Sequence, residues 1–97
     1  MANFVVLANF TDQGVKNVKE TVGRAEAFKE MARKAGVTVK EIYWTLGPYD
    51  IVVLCEAADD EAATALSLSI ASRGNVKSLT LRAFSFSEMS KIITKMV

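Results

Sequence analysis

Histidine does not occur in this sequence of 97 residues, and cysteine and proline each occur once. The absence of histidine excludes His-based catalytic triads, His-ligated zinc sites and imidazole acid–base mechanisms. Because Cys55 is the one cysteine, the chain cannot form an internal disulfide or a Cys-x-x-Cys site. The glycine-rich phosphate-binding patterns of dinucleotide-binding folds and P-loops are also absent. The best-known nucleophilic, zinc and nucleotide sites are therefore excluded.

An excess of charge of one sign and long hydrophobic runs are missing as well. Twelve Lys and Arg against eleven Asp and Glu give a net charge of +1, so neither a nucleic-acid nor a membrane partner is expected. The apolar run at residues 4–8 is too short for a signal sequence or a membrane span. We therefore expect a cytoplasmic protein, and the length predicts a single domain over residues 1–97.

Hydrophobic spacing divides the chain into four strands and three helices. Alternation or short apolar runs predict strands at residues 3–10, 37–46, 51–57 and 76–86. Three- and four-residue spacing predicts helices at residues 12–35, at 59–72 and at the C-terminal end. We expect Gly23 to break the first helix near Thr21, and Ser87 to cap the last one. The order predicts an α+β, ferredoxin-like βαββαβ fold with a C-terminal helix.

The sheet is apolar on both sides, although its two main helices can cover only one. The first and third strands carry apolar residues on both faces, and Tyr43 and Phe84 are expected to add to the side away from the helices. On the last strand, we expect Leu79, Leu81 and Ala83 to face the helices. An uncovered apolar face of this size favours packing against a second copy, which gives a homodimeric α+β barrel or a higher oligomer.

Several motifs in order resemble the GYD domain family, which takes its name from a Gly-x-x-Asp hairpin. The matching segments are Phe10-Thr11-Asp12-Gln13-Gly14, Tyr43-Trp44-Thr45-Leu46-Gly47-x-Tyr49-Asp50, Ala57-x-Asp59-Asp60 and Gly74-Asn75-Val76-x-x-x-Thr80-Leu81-Arg82-Ala83-Phe84. The resemblance covers residues 3–96. It implies a small bacterial or archaeal protein of the dimeric α/β-barrel superfamily, and it implies no particular activity.

Seven polar residues are candidates for a ligand-binding site on the side of the sheet away from the helices. They are Tyr43, Thr45, Tyr49, Asp50, Glu56, Thr80 and Arg82. Arg82 is the most unusual, because a guanidinium in a strand of small and apolar residues needs an anion. That anion is either a carboxylate or phosphate of a small ligand or a group of the protein, such as Glu41 or Glu56. A dimer contact is a third explanation.

Other notable residues have structural explanations. Asp50 can bond backbone N–H groups of the hairpin turn, and Trp44 is expected in the core. Cys55 is expected to be an inert buried thiol, because no histidine can activate it. The acidic residues 59–61 are expected to cap a helix rather than hold a metal. No metal or cofactor is expected.

Three classes of function remain open at this point. The first is binding of a small, anionic organic ligand in a cavity on the side of the sheet away from the helices. The second is a cofactor-independent enzyme, which the resemblance allows, with Asp50, Glu56 or Tyr43 as acid or base. The third is a structural assembly module. Whether the protein is an enzyme, and which residues would be catalytic, stays undecided by the sequence.

Overall fold

Four antiparallel strands form one sheet in the order β2-β3-β1-β4. A computed structural model describes residues 1–97. Its strands are β1 (Ala2–Phe10), β2 (Thr38–Trp44), β3 (Ile51–Ala57) and β4 (Val76–Ala83). Two non-adjacent strands of the sequence, β1 and β3, lie at the centre, as the crossovers of a ferredoxin-like fold require. The predicted α+β fold is therefore confirmed.

The helices are α1 (Asp12–Lys16), α2 (Thr21–Lys34), α3 (Asp60–Ala71) and α4 (Phe86–Ile93), with a 3₁₀ turn at Val18–Glu20. Helices α2 and α3 cover the same face of the sheet, where α2 packs on β2 and α3 packs on β3 and β4. None of these helices combines the length and apolar character needed to cross a membrane.

The predicted break between α1 and α2 is present near Thr21, but Gly23 does not cause it. Gly23 lies inside α2, and no atom lies near the position that its side chain would take. Instead, α1 is fixed against the start of β4, where the Thr11 N–H donates to the Asn75 carbonyl at 3.1 Å. A Cβ at Gly14 would lie 2.0 Å from that same oxygen, so only glycine allows this close approach. The 3₁₀ turn then redirects the chain from this junction toward the sheet.

The capping residues predicted from the sequence are confirmed at two helices and wrong at a third. Thr11 accepts the Gly14 N–H at 3.1 Å and Asp59 accepts the Ala62 N–H at 2.9 Å, as N-cap residues do. The prediction that Ser87 caps the last helix is wrong, because Ser85 is the capping residue. Ser85 stands three residues before Glu88, and the two form a reciprocal capping box.

The core lies between the sheet and the two covering helices, and it is small. Its main members are Phe4, Val53 and Cys55 from the sheet, with Ala32 and Leu66 from the helices. Only 10 of the 97 residues are buried. Burial raises the pKa of the Cys55 thiol, so the thiolate is disfavoured. The core thus accounts for one face of the sheet and leaves the other face without a covering layer.

Candidate functional site

Strand pairing assigns the apolar residues of the uncovered face. Val5 is paired with Leu54 and Leu81, and Leu7 is paired with Val52 and Leu79. Directly paired residues share a face, and Val5 follows the buried Phe4, so this set points away from the helices. Tyr43 joins the set through its pairing with Val52. We call this surface the open face; it consists of Val5, Leu7, Tyr43, Val52, Leu54, Leu79 and Leu81.

The expected orientation of β4 is wrong. Arg82 is paired with the buried Phe4, and Thr80 is paired with Val6, so both residues lie on the helix side of the sheet. Leu79 and Leu81 occupy the open face instead. Alternation alone could not give the phase, since the large apolar residues of β4, Leu79 and Leu81, share one side of the strand and either side of this sheet accepts them.

Arg82 finds its anion within the chain, at the start of α4. One guanidinium nitrogen, Nη2, lies 3.1 Å from Glu88 Oε2, and Nη1 donates to the Asn3 carbonyl at 3.3 Å. Nη1 also donates to the Ala83 carbonyl. The guanidinium carbon is 4.6 Å from the centre of the Phe84 ring, within the range of a cation–π contact. The partner is therefore Glu88, and not Glu41 or Glu56 as the sequence suggested.

Glu88 is the most strongly perturbed ionisable group that the structure shows. The Ser85 backbone N–H, 2.9 Å from Oε1, is the main cause of a lowered pKa, and the Arg82 guanidinium adds to it. Together they bring the pKa of Glu88 to about 2. Its carboxylate also accepts from the Asn3 side chain at 3.3 Å. These contacts tie the beginning of α4 to β1 and β4, which is a structural role.

The hairpin candidates hold the turn to the neighbouring strand. The Thr45 hydroxyl donates to the Tyr49 carbonyl, and the Thr45 N–H donates to the Asp50 carbonyl at 2.8 Å. The Asp50 carboxylate accepts the Phe10 N–H at 2.9 Å, and the Asp50 N–H donates to the Ala8 carbonyl at 2.9 Å. Asp50 thus bonds backbone N–H as expected, but on β1 rather than within its own turn. The positive φ of Gly47 completes the turn.

The remaining two candidates, Tyr43 and Glu56, lie on the side of the sheet where the sequence placed them. Tyr43 is 52% exposed on the open face. Glu56, paired with Asn3 and Thr38 at one end of that face, forms an ion pair with Lys40 at the bulge of β2. The seven predicted residues therefore divide among the open face, the hairpin and the helix side. Their role in binding a ligand stays a prediction.

The helix side of the sheet holds a cleft that no motif in the sequence indicates. It has a volume of about 200 Å³ and lies between the sheet and helices α2 and α3. Trp44 lines it and faces the helices as expected, with its indole N–H donating to Thr21 Oγ1 at 3.1 Å. Trp44 is nevertheless 43% exposed, so it lies at the edge of the core rather than inside it.

Arg24 is the charged residue of α2 that reaches this cleft. It stands four and seven residues before Phe28 and Met31, which line the same cleft, so it belongs to the apolar side of the helix. A charge within an apolar stripe is the sequence signal that could have identified it.

Comparison with known proteins agrees with the fold. The family model described as GYD domain matches residues 4–93. A curated relative from Thermus thermophilus, named "Glutamine synthetase and cystathionine beta-lyase binding protein", is 38% identical over 90 residues. That alignment covers 92% of this chain and 95% of the relative. The motifs around Gly47-Pro48-Tyr49-Asp50, the ferredoxin-like sheet and these two matches agree, and the chain belongs to the GYD domain family.

Proposed function

We propose that this protein is a protein-interaction module whose open face packs against a second copy of the same chain. The observation that carries the proposal is the exposure of that face. Tyr43, Leu79 and Leu81 are 52%, 50% and 43% exposed in the single chain. Contiguous apolar patches of this kind mark interaction surfaces in soluble proteins.

The total surface of the chain supports the same conclusion. Its accessible surface is 6677 Å², whereas a folded monomer of this mass exposes roughly 5,500 Å². The difference of about 1,200 Å² is close to what one partner contributes to a large, stable interface. A second copy can cover the excess, and we expect roughly 1,500 Å² or more to be buried in total.

A second copy suits the open face because the face is self-complementary. A twofold interface places the same patch on both partners, so the apolar residues of one copy meet those of the other. Glu41, which is paired with Leu54 on the edge strand β2, lies on the same side of the sheet, and its carboxylate has to stay at the solvent-exposed edge of the interface. The ion pair of Lys40 with Glu56 lies at the end of the face, where solvent can still reach it.

Helix α4 offers additional apolar surface. It is fixed at its N-terminal end through Glu88, while Phe86 is 97% exposed and Met89 and Ile93 are about half exposed. A short amphipathic helix with an uncovered apolar side is typical of a segment that packs on another polypeptide.

A small anionic ligand on the open face has less support. Arg82, which was expected to bind it, lies on the other side of the sheet and is paired with Glu88. Lys40 is engaged by Glu56. The acid–base candidates Asp50 and Glu56 are likewise engaged, with the Phe10 N–H and with Lys40. These contacts favour the assembly interpretation over a pocket or a catalytic centre on that face.

We further propose that the assembled protein binds metabolic enzymes. The support is the name of the Thermus thermophilus relative, which describes binding to glutamine synthetase and cystathionine beta-lyase. A cytoplasmic location, expected from the sequence, suits partners of this kind. The dimer then presents two copies of α4 and of the helix-covered side to such an enzyme.

Two measurements test these proposals separately. Sedimentation equilibrium at micromolar concentration should give at least twice the chain mass of 10.6 kDa; a stable monomer contradicts self-pairing. Biolayer interferometry with the immobilised protein should show saturable binding of glutamine synthetase or cystathionine beta-lyase, each purified from the organism that produces the present chain. Absence of binding by both enzymes contradicts the enzyme-binding proposal and leaves the oligomer result unaffected.

A further inference from the structure

The cleft between the sheet and the covering helices is a second candidate site, on the opposite side of the sheet from the open face. Most of its lining residues are apolar, including Phe28, Ile42 and Val53. Its volume of about 200 Å³ corresponds to about seven waters at roughly 30 Å³ each. The cleft reaches solvent along β4, where its lining residues Ser78 and Thr80 are exposed. A molecule with a small apolar body can therefore enter and fill it.

Arg24 gives this apolar cleft a cationic end. Its Nη1 donates to the Asn17 carbonyl at 2.8 Å and lies 3.8 Å from Glu20 Oε2, and both partners belong to the segment that leads into α2. Its Nη2 is buried and has no hydrogen-bond acceptor in the chain. A buried guanidinium N–H without an acceptor is unfavourable, because the desolvation of a charged group is not compensated. The acceptor that Nη2 needs can come from the cleft that the same side chain lines.

Thr21 provides a second donor one turn before Arg24, on the same side of the helix. Its Oγ1 accepts the Trp44 indole N–H, which leaves the hydroxyl proton free to donate. A guanidinium N–H and a hydroxyl three residues apart on one side of a helix can each donate to one oxygen of a carboxylate. On the far side of the cleft, the Ser67 and Thr80 hydroxyls bond each other at 3.1 Å and need no ligand.

We propose that this cleft binds a small amphipathic organic acid, with its carboxylate at Arg24 and Thr21 and its apolar chain among the apolar lining residues. The guanidinium rotates slightly to turn Nη2 toward the ligand, and Nη1 keeps its bond to Asn17. The proposal is independent of the open face, because the two surfaces lie on opposite sides of the sheet. A body of about seven to ten heavy atoms fits the volume.

Octanoate is a suitable probe, and octan-1-ol is its uncharged control of equal chain length. Trp44 is the only tryptophan, so its fluorescence reports binding in the cleft directly. We expect octanoate to change the Trp44 emission saturably and to bind about tenfold or more tightly than octan-1-ol, because only the carboxylate pairs with the guanidinium. Equal affinity of the two compounds, or no binding of octanoate, would overturn the proposal.

Arg24→Gln removes the charge, and Arg33→Gln is the matched control on the same helix. Arg33 is exposed, pairs with Glu30 and does not line the cleft. Arg24→Gln should weaken octanoate binding about tenfold and leave octan-1-ol binding unchanged, whereas Arg33→Gln should change neither. Unchanged octanoate affinity in Arg24→Gln would overturn the assignment. The comparison of the two probes uses the unsubstituted protein, so it decides the question even if Arg24→Gln is unstable.

Discussion

Substitution of Leu81 by alanine is expected to weaken the dimer while leaving the fold of each chain intact. Leu81 is 43% exposed in the single chain, so about half of its side chain is available for burial by a partner. Full burial of a leucine side chain contributes about 1.5–3 kcal/mol, and burial of the remaining half therefore contributes about 0.7–1.5 kcal/mol. Both copies carry the change, so the dimer should lose about 1.5–3 kcal/mol, or roughly tenfold to hundredfold in Kd.

Sedimentation velocity over a dilution series measures this shift, and Leu68→Ala is the matched control. Leu68 is 65% exposed on α3, away from the open face, and its truncation should not change the dimer Kd. A thermal melt of each variant at high concentration separates weakened association from unfolding. Equal Kd values for the parent, Leu81→Ala and Leu68→Ala would refute the assignment of the open face as the interface.

Three further changes test other contacts. Trp44→Ala should lower the free energy of unfolding by about 2 kcal/mol, as measured by urea denaturation. The loss is smaller than the roughly 3–5 kcal/mol of a fully buried aromatic residue because Trp44 is 43% exposed. An unchanged free energy of unfolding would show that Trp44 lies outside the packed region. Gly14→Ala should destabilise by about 1–3 kcal/mol in the same assay, since its Cβ would clash with the Asn75 carbonyl. Glu88 has a lowered pKa of about 2 against an ordinary 4.5, so its stabilising contacts are complete above about pH 4.5 and are lost as the pH falls toward 2. A carboxyl-carbon NMR titration with a midpoint near 4.5 would contradict that value.

The sequence predicted the elements well and the faces of the edge strand poorly. The strand predicted at residues 51–57 has the bounds of β3, because a run of seven residues that is rich in β-branched side chains and lies between turn residues is too short for a buried helix. The phase of β4 was wrong because Leu79 and Leu81 suit either side of a sheet that is apolar on both. Only the pairing of Arg82 with Phe4, a contact between distant parts of the chain, fixes the orientation.

In the candidate site, too, features that depend on neighbouring residues were predictable, whereas contacts between distant parts of the chain were not. The need of Arg82 for an anion was recognised from its apolar surroundings, but the partner is Glu88, whose helix begins two residues earlier than expected. The pattern Ser85-Phe86-Ser87-Glu88 contained the capping box. The position of Arg24 in the apolar stripe of α2 is visible in the sequence, but the burial of its Nη2 is not, since periodicity shows which side of a helix a residue occupies and not how deeply its atoms lie.

Intermolecular contacts across the open face are the central claim, and NMR on mixed-labelled protein tests them most directly. A dimer assembled from one copy labelled with ¹³C at leucine methyl groups and one unlabelled copy allows isotope-filtered NOEs between the copies alone. We expect intermolecular NOEs from the Leu79 and Leu81 methyls to open-face protons, including the Tyr43 ring, and none from the Leu68 methyls. NOEs between copies that arise from Leu68 and not from Leu79 or Leu81, or no intermolecular NOEs at all, would contradict the account.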